Sequence, residues 1–255
     1  MSTAIQFRMN AGVPGDITRS HSSTVEPQIL DTTNPPASYG LPCAIDGTSH
    51  GVRHVISSDT PKNINGFNVR PFPTTGNGND GLGVSTPPTS GIVNLMRRGY
   101  INVQVNNGTP VKGGAVYARV AAPSGAKVVG GVEAIGDYTG ITATGTTGTG
   151  TSTAGTLSFT DDTPEDTYTV TLTTTSSTAA FNVVDSHGDN VGVGKIGTQF
   201  TADNGLSFLI TAGGTPTTGD HLAITVVYHT IKVPGNTYFY DGMDANGNAE
   251  VAFNI

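Results

Sequence analysis

Residues 98–133 constrain the fold most, because their apolar side chains recur at every second position. Ile101, Val103 and Val105 alternate with polar residues, which is the period of a half-buried β-strand. The pair Asn107-Gly108 then supplies the residues most tolerant of positive φ, and a second alternating run follows it. The stretch therefore predicts a β-hairpin at the centre of an all-β protein.

The composition is typical of a turn-rich β-protein. Glycine and proline number 35 and 15, and charged residues make up only 12% of the chain. No window of a dozen residues places apolar side chains at helical spacing, so we expect very little helix. The single cysteine, Cys43, cannot form an intrachain disulfide, and the N-terminus lacks the apolar run of a signal peptide. These features predict synthesis in a cytoplasm and no membrane span.

The negative charge of the chain is concentrated in one segment. The net charge is −7, and residues 138–230 contain eight acidic residues and one basic residue, whereas the remainder contains eleven of each. An acidic module repels nucleic acid and anionic membranes. We therefore expect neither as a direct partner.

Proline dominates the first part of the chain. Residues 1–90 hold ten of the 15 prolines and few clean strand patterns, so they predict an extended arm. Apolar residues are too frequent in this segment for ordinary disorder, which favours an arm that packs on the rest of the protein and on neighbouring molecules. On this interpretation, removal of residues 1–45 leaves the β-core folded.

Two further parts follow the arm. Residues 91–137 together with 229–255 are predicted to form the β-core, since the chain still alternates up to its last residue after the Asn246-Gly247 turn. Residues 138–228 begin with a Thr/Gly-rich connector and then resume strand patterns. They predict a small, acidic β-sandwich-like module inserted at one exposed turn of the core.

Catalytic and metal-binding chemistry find little support. The chain contains no Gly-x-Ser-x-Gly elbow, and the Gly-rich residues 76–83 lack the Lys-Ser/Thr and the helix of a phosphate loop. His50 and His54 would meet at a metal only on a helix, which the β-branched residues around them disfavour. Residues 185–190 lack the final glutamate of a calcium loop and are typical of a polar turn. We expect no enzyme activity, no cofactor and no metal site.

Five motifs, taken in their order along the chain, carry a family resemblance. They are GVPGDITR (12–19), GFNVRPFP (66–73), MRRGYINV (96–103), GAVYAR (114–119) and GNAEVAFNI (247–255). Over residues 1–136 and 229–255 the chain resembles the structural cement, or head decoration, proteins of tailed bacteriophages. The resemblance implies a jelly-roll-like β-barrel or sandwich on the outer surface of the virion, bound across neighbouring major capsid protein subunits. It also implies self-association, as a homodimer or a trimer, and synthesis in the host cytoplasm.

Capsid-contact candidates follow if the capsid surface is acidic. Guanidinium groups suit bidentate contacts with carboxylates, and apolar anchors in the arm would supply affinity. The alternative for the arginines is pairing within the chain. The candidates are Arg8, Arg19, Ile29, Leu30, Tyr39, Arg53, Arg70, Phe72, Arg97, Arg98 and Arg119.

The acidity of residues 138–228 suggests that this module faces away from an acidic shell. A second hypothesis is that the chain is a carbohydrate-binding or receptor-binding surface module of a phage particle. Such a module would present an aromatic platform, and the chain contains no tryptophan.

Overall fold

The computed structural model describes residues 12–71, 86–143, 151–160 and 163–255. In these ranges the chain forms eighteen strands and two short 3-10 turns, Ser20–Ser22 and Pro61–Asn63, which confirms the all-β fold class. No helix in the described ranges is long and apolar enough to cross a membrane. The chain divides into two compact units: unit 1 is Met1–Gly136 with His229–Ile255, and unit 2 is Asp137–Tyr228.

Unit 1 is built on one ten-stranded sheet. Its strands are β1 (Thr24–Ile29), β2 (Pro42–Ile45), β3 (Val52–His54), β4 (Ile64–Val69), β5 (Ile92–Asn107), β6 (Tyr117–Arg119), β7 (Val132–Glu133), β16 (Thr230–Lys232), β17 (Tyr238–Phe239) and β18 (Asn248–Phe253). The main order is β16-β6-β7-β5-β4-β2-β3, and β1 and β18 also pair with β5. The long strand β5 therefore organises the sheet.

Strand β5 changes its neighbour at Gly99. Strand β1 pairs with the first half of β5, up to Arg98, and β18 pairs with the second half, starting at Gly99. Gly99 has a φ of 138° and lies against Ser23, so a Cβ at this position would clash with the serine. Glycine is required here because the backbone conformation and the close approach both exclude a side chain.

The predicted β-hairpin is not formed. Gly108 does have a positive φ, but β6 pairs with β7 and β16, while the parallel strand β7 lies between β5 and β6. Turn residues allow a reversal of the chain, but they do not fix which strand fills the neighbouring position. The strand expected at the C-terminus does form, as β18 between β5 and β17.

The proline-rich segment differs from the extended arm that its composition indicates. Its described residues contribute β1 to β4, and Leu41 and Cys43 are buried in the core. Pro42 begins β2, where a missing N–H interrupts no ladder. Removal of residues 1–45 would therefore take away two strands of the sheet.

Unit 2 consists of two sheets that enclose a separate core. Its strands are β8 (Tyr138–Ala143), β9 (Thr151–Ser158), β10 (Thr167–Leu172), β11 (Ala180–Val184), β12 (Asn190–Lys195), β13 (Gln199–Thr201), β14 (Ser207–Gly213) and β15 (His221–Tyr228). One sheet has the order β12-β11-β10-β15-β8 and the other β13-β14-β9. Alternate residues of β10 and β15 are buried, in agreement with their period-two patterns.

The two ends of unit 2 lie side by side. Tyr138, at the start of β8, is the register partner of Tyr228, at the end of β15, and their ring centroids are 5.9 Å apart. A chain that enters and leaves a unit at one place can be interrupted there by an insertion.

Candidate functional site

Large exposed apolar side chains are distributed unevenly between the units. Among the described residues, nine large apolar side chains are exposed. Eight of them belong to unit 1 and one, Val193, belongs to unit 2. The eight are Val13, Val25, Ile29, Ile92, Val111, Val128, Ile135 and Met243. Unit 1 is therefore the part of the chain with apolar surface available for a partner.

The densest group lies where β1 pairs with the start of β5. Ile29 and Ile92 are register partners, and they are 71% and 68% exposed. Val25 and Pro27 project from the same face of β1, because side chains two residues apart share a face, and both are exposed. We call these four residues the β1–β5 patch.

The patch continues the inner face of the unit 1 sheet. Met96 shares a face with Ile92 and is fully buried in the core of unit 1. On the opposite face, Val93 and Leu95 pack in a second, smaller cluster with Leu30. Near β1, the face of the sheet that carries Val93 and Leu95 is therefore covered by the smaller cluster. The opposite face, which carries Ile29 and Ile92, extends beyond the main core and is exposed.

The outer edge of β1 is interrupted by proline. The Leu30 N–H donates to the Gly91 carbonyl at 2.9 Å, so alternate residues of β1 direct their backbone groups toward β5. Pro27 is therefore one of the residues whose backbone faces the open edge, where its missing N–H costs the ladder nothing. It removes a donor that a further strand would need, and beyond it the edge is joined to β3 by the Leu30–Val52 bridge.

Two arginines named from the sequence lie on β5 beside this patch. Arg97 is half-buried, with Nε 3.6 Å from a carboxylate oxygen of Glu26 and a 3.1 Å hydrogen bond to Asn65 Oδ1. Arg98 is exposed and forms no ion pair with the residues that the structure describes. Only Arg98 of this pair is thus free to meet a carboxylate on another molecule.

Arg19 fixes the N-terminal segment onto the sheet. Its guanidinium lies over the rings of Tyr100 and Tyr240, 4.3 and 4.0 Å from their centroids, and Nε is 3.1 Å from a carboxylate oxygen of Glu250. Thr18 also donates to that carboxylate, at 2.5 Å. Cation–π contacts with two rings, together with the carboxylate of Glu250, favour arginine over lysine at this position.

Two other candidate arginines form buried ion pairs within the chain. Arg119 is fully buried against Glu133, and it also donates to the carbonyls of Ala121 and Ala122. Arg53 donates to both carboxylate oxygens of Asp59, at 2.6 and 2.9 Å, and the hydrogen bond from this carboxylate raises the pKa of Arg53. Neither guanidinium can reach a partner, so pairing within the chain replaces the predicted capsid contact.

The remaining candidates divide by burial. Leu30 and Tyr39 are buried, with 4% and 6% of their surface exposed. Leu30 directly follows β1 and Tyr39 lies in the loop before β2, so both belong to the folded unit rather than to a free arm. Arg70 is partly exposed. Arg8 and Phe72 lie outside the described residues.

The residues considered as metal ligands lie in loops and strands. His50 lies in the loop before β3 and His54 at the end of β3, so neither is on a helix. Asp166, Asp185 and His187 bring one ligand atom each within 4.8 Å. Yet Asp185 Oδ1 accepts from the N–H groups of His187 and Asp189, which makes residues 185–190 a capped polar turn.

The carboxylate of Asp166 takes part in the same turn. Burial would raise its pKa, but hydrogen bonds from Ser186 and from the Thr167 N–H lower it overall. These bonds give the carboxylate hydrogen-bond partners within unit 2.

Ile92, half of the most exposed pair, was missed by sequence reasoning. It is the first residue of β5 and lies just outside the alternating run that defined the core. The β1–β5 register is what places it beside Ile29, and this register joins strands that are distant in sequence, so no local pattern shows it.

The chain was compared with known proteins in three ways. Residues 1–161, more than half of the chain, match the family model described as XM1 gp53 minor capsid protein. The match covers the first part of unit 1 and continues into β9 of unit 2. A search of curated proteins found no match, and neither did a search of solved structures. The chain therefore belongs to the XM1 gp53 minor capsid protein family and is a structural protein of a phage capsid.

Proposed function

We propose that this minor capsid protein is a cement protein, which binds the outer surface of the major capsid protein lattice and stabilises the head by bridging neighbouring subunits. The observation that carries the proposal is the separation of surface types between the units. Exposed aliphatic side chains belong almost entirely to unit 1 in the described ranges, while residues 138–230 hold the net charge of −7.

This separation gives each unit a different role. Burial of exposed aliphatic surface is the main source of affinity between proteins, so unit 1 is the part that binds the shell. An acidic unit 2 stays in solvent, because bringing it against an acidic shell would cost electrostatic energy. Unit 2 thus projects outward while unit 1 holds the chain in place.

The stabilising effect requires several contacts per particle rather than one strong contact. When one copy touches two capsid subunits, the second contact forms at a high effective concentration. Separation of the subunits then demands that both contacts break together. Self-association of the chain, as a homodimer or a trimer, would extend the bridge further.

Unit 2 gives little support to carbohydrate or receptor binding. Its described aromatic residues are buried or half-buried, and Tyr138 packs edge-to-face on Phe159 and Tyr228, at 5.7 and 5.9 Å. A carbohydrate platform needs aromatic faces that are open to solvent.

The proposal is tested with heads that lack this chain. The purified full-length protein is added to such heads, and its occupancy is measured by co-sedimentation and cryo-electron microscopy. We expect saturable binding to the outer surface and a higher temperature of head disruption. Heads that bind the protein without gaining stability, or that do not bind it, would contradict the cement role.

A further inference from the structure

We propose that the β1–β5 patch is the surface through which unit 1 docks on the major capsid protein, by side-chain contact rather than by addition of a strand. This inference rests on the proposed function and names the surface that carries it out. The occupant is an apolar area of the capsid subunit with a carboxylate at its margin.

The two isoleucines of the patch lie directly opposite each other on β1 and β5. Leu30 and Gly91 form a hydrogen-bonded pair, so Ile29 and Ile92, one position further along, form a non-hydrogen-bonded pair. Side chains in such pairs approach most closely, with Cβ atoms roughly 4.5–5.5 Å apart. The pair therefore presents one continuous aliphatic ridge, extended along β1 by Pro27 and Val25.

A strand is excluded as the occupant by the edge of β1. At the Leu30 end this edge is already joined to β3 by the parallel Leu30–Val52 bridge. Val25 and Pro27 face the part of the edge that remains open, and Pro27 has no N–H, so an added strand would find few backbone partners. Docking must therefore use the side-chain face, which is where the aliphatic ridge lies.

A second copy of the chain is a poor occupant. A two-fold pairing of β1 with β1 near the middle of the strand would bring Pro27 of both copies close to the two-fold axis, where neither supplies an N–H. A stable dimer also buries roughly 800 Å² on each partner, which four side chains cannot supply. A capsid lattice does not have this limit, because it offers many subunits and sums small contacts.

A positive charge lies at the margin of the patch. Arg98 lies two residues beyond Met96 on β5, is exposed, and forms no ion pair within the described part of the chain. A free guanidinium at the margin of an aliphatic ridge favours a partner with a carboxylate. Such a rim contact sets orientation and association rate more than affinity.

The test compares two equally exposed aliphatic sites. The variant Ile29→Ser/Ile92→Ser removes the ridge, and Val193→Ser is the matched control in unit 2, where the side chain is 73% exposed. Occupancy on heads that lack the chain is measured by co-sedimentation over a range of protein concentrations. We expect at least a tenfold loss of apparent affinity for the double variant and wild-type binding for the control.

Further measurements separate the possible failures. Wild-type binding by the double variant overturns this inference but leaves the cement role intact, whereas heads that do not bind the wild-type protein overturn the cement role. A lower unfolding temperature of the free double variant would show that another part of the chain covers the ridge. A change in its oligomeric state would show that a second copy does. Either result overturns the inference.

The docking mode has its own variant. Pro27→Ala restores an N–H at the edge without removing the isoleucines. Unchanged affinity supports side-chain docking, whereas tighter binding would show that the partner adds a strand.

Discussion

Units 1 and 2 are both built from β-strands, but they distribute their side chains in opposite ways. The interior of unit 1 contains the ion pairs Arg119–Glu133 and Arg53–Asp59, and its surface exposes aliphatic residues. The core of unit 2 contains the clustered rings of Phe181, Phe200 and Phe208. Its described surface exposes the acids Glu165, Asp189 and Asp203 and, among large apolar side chains, Val193.

The difference teaches how the two units gain their structure. Buried ion pairs add little net stability, but breaking one is costly, so they select one arrangement of the strands that meet at them. Arg119 is on β6 and Glu133 on β7, the strand that lies between β5 and β6 where the predicted hairpin would have paired these two directly. An aromatic cluster stabilises the fold mainly through the apolar area that it buries, and it tolerates replacement by other apolar side chains of similar volume.

The largest expected effect comes from breaking the pair in unit 1. Arg119→Met should lower the free energy of unfolding of unit 1 by about 3–5 kcal/mol, because Glu133 is left charged and buried without its partner. Hydrogen exchange of peptides from each unit measures the loss separately. The double variant Arg119→Met/Glu133→Leu should recover most of it. A loss below about 1 kcal/mol would mean that this pair does not hold β6 to β7.

A comparable but smaller effect is expected in the core of unit 2. Phe208→Ala should destabilise unit 2 by about 3–4 kcal/mol, because the ring packs at 4.9 Å from Phe200 and leaves a cavity when removed. Phe208→Leu, which keeps most of the volume, is the matched control. Increased exchange in unit 1 as well as in unit 2 would contradict the independence of the two cores.

The smallest expected effect is on the stability of unit 1 when unit 2 is removed. Replacement of residues 138–228 by a short Gly-Ser turn should leave unit 1 folded, because Tyr138 and Tyr228 are register partners at the point of insertion. Cys43, fully buried in unit 1, provides the measurement through its rate of labelling by a thiol reagent.

The chemistry of Cys43 makes this readout selective. Burial raises the pKa of the thiol to about 12, so the folded form stays protonated at pH 8–9, where an unfolded cysteine ionises and reacts. The same shift means that this group favours the unfolded chain above pH 9 and lowers stability as the pH rises further. Labelling should be slow in the wild type and in the replacement variant, and faster in Arg119→Met. Fast labelling of the replacement variant would show that unit 1 depends on unit 2.

Alternating patterns predicted strands such as β5, but they did not show which strands pair with each other. The alternation at Ile101, Val103 and Val105 identifies β5, since these three side chains are buried together in the core of unit 1. The Pro-rich segment was misinterpreted because Pro27 and Pro42 occupy an open edge and a strand end, positions where proline does not disrupt a sheet.

Charged residues show the same limit within the candidate site. Nothing local distinguishes Arg98, which is exposed, from Arg119, which is fully buried, because the difference depends on whether Glu133 comes within reach in the folded chain. Ile29 was identified from its own apolar character, whereas Ile92 required the register that joins them.

The proline at the open side of β1 also matters before any shell is present. Identical chains at high concentration can polymerise when each one exposes an edge strand with unpaired backbone N–H and C=O groups next to apolar side chains. Pro27 interrupts that edge beside the aliphatic ridge. The protein can therefore keep an adhesive surface ready in solution without forming fibres with its own copies.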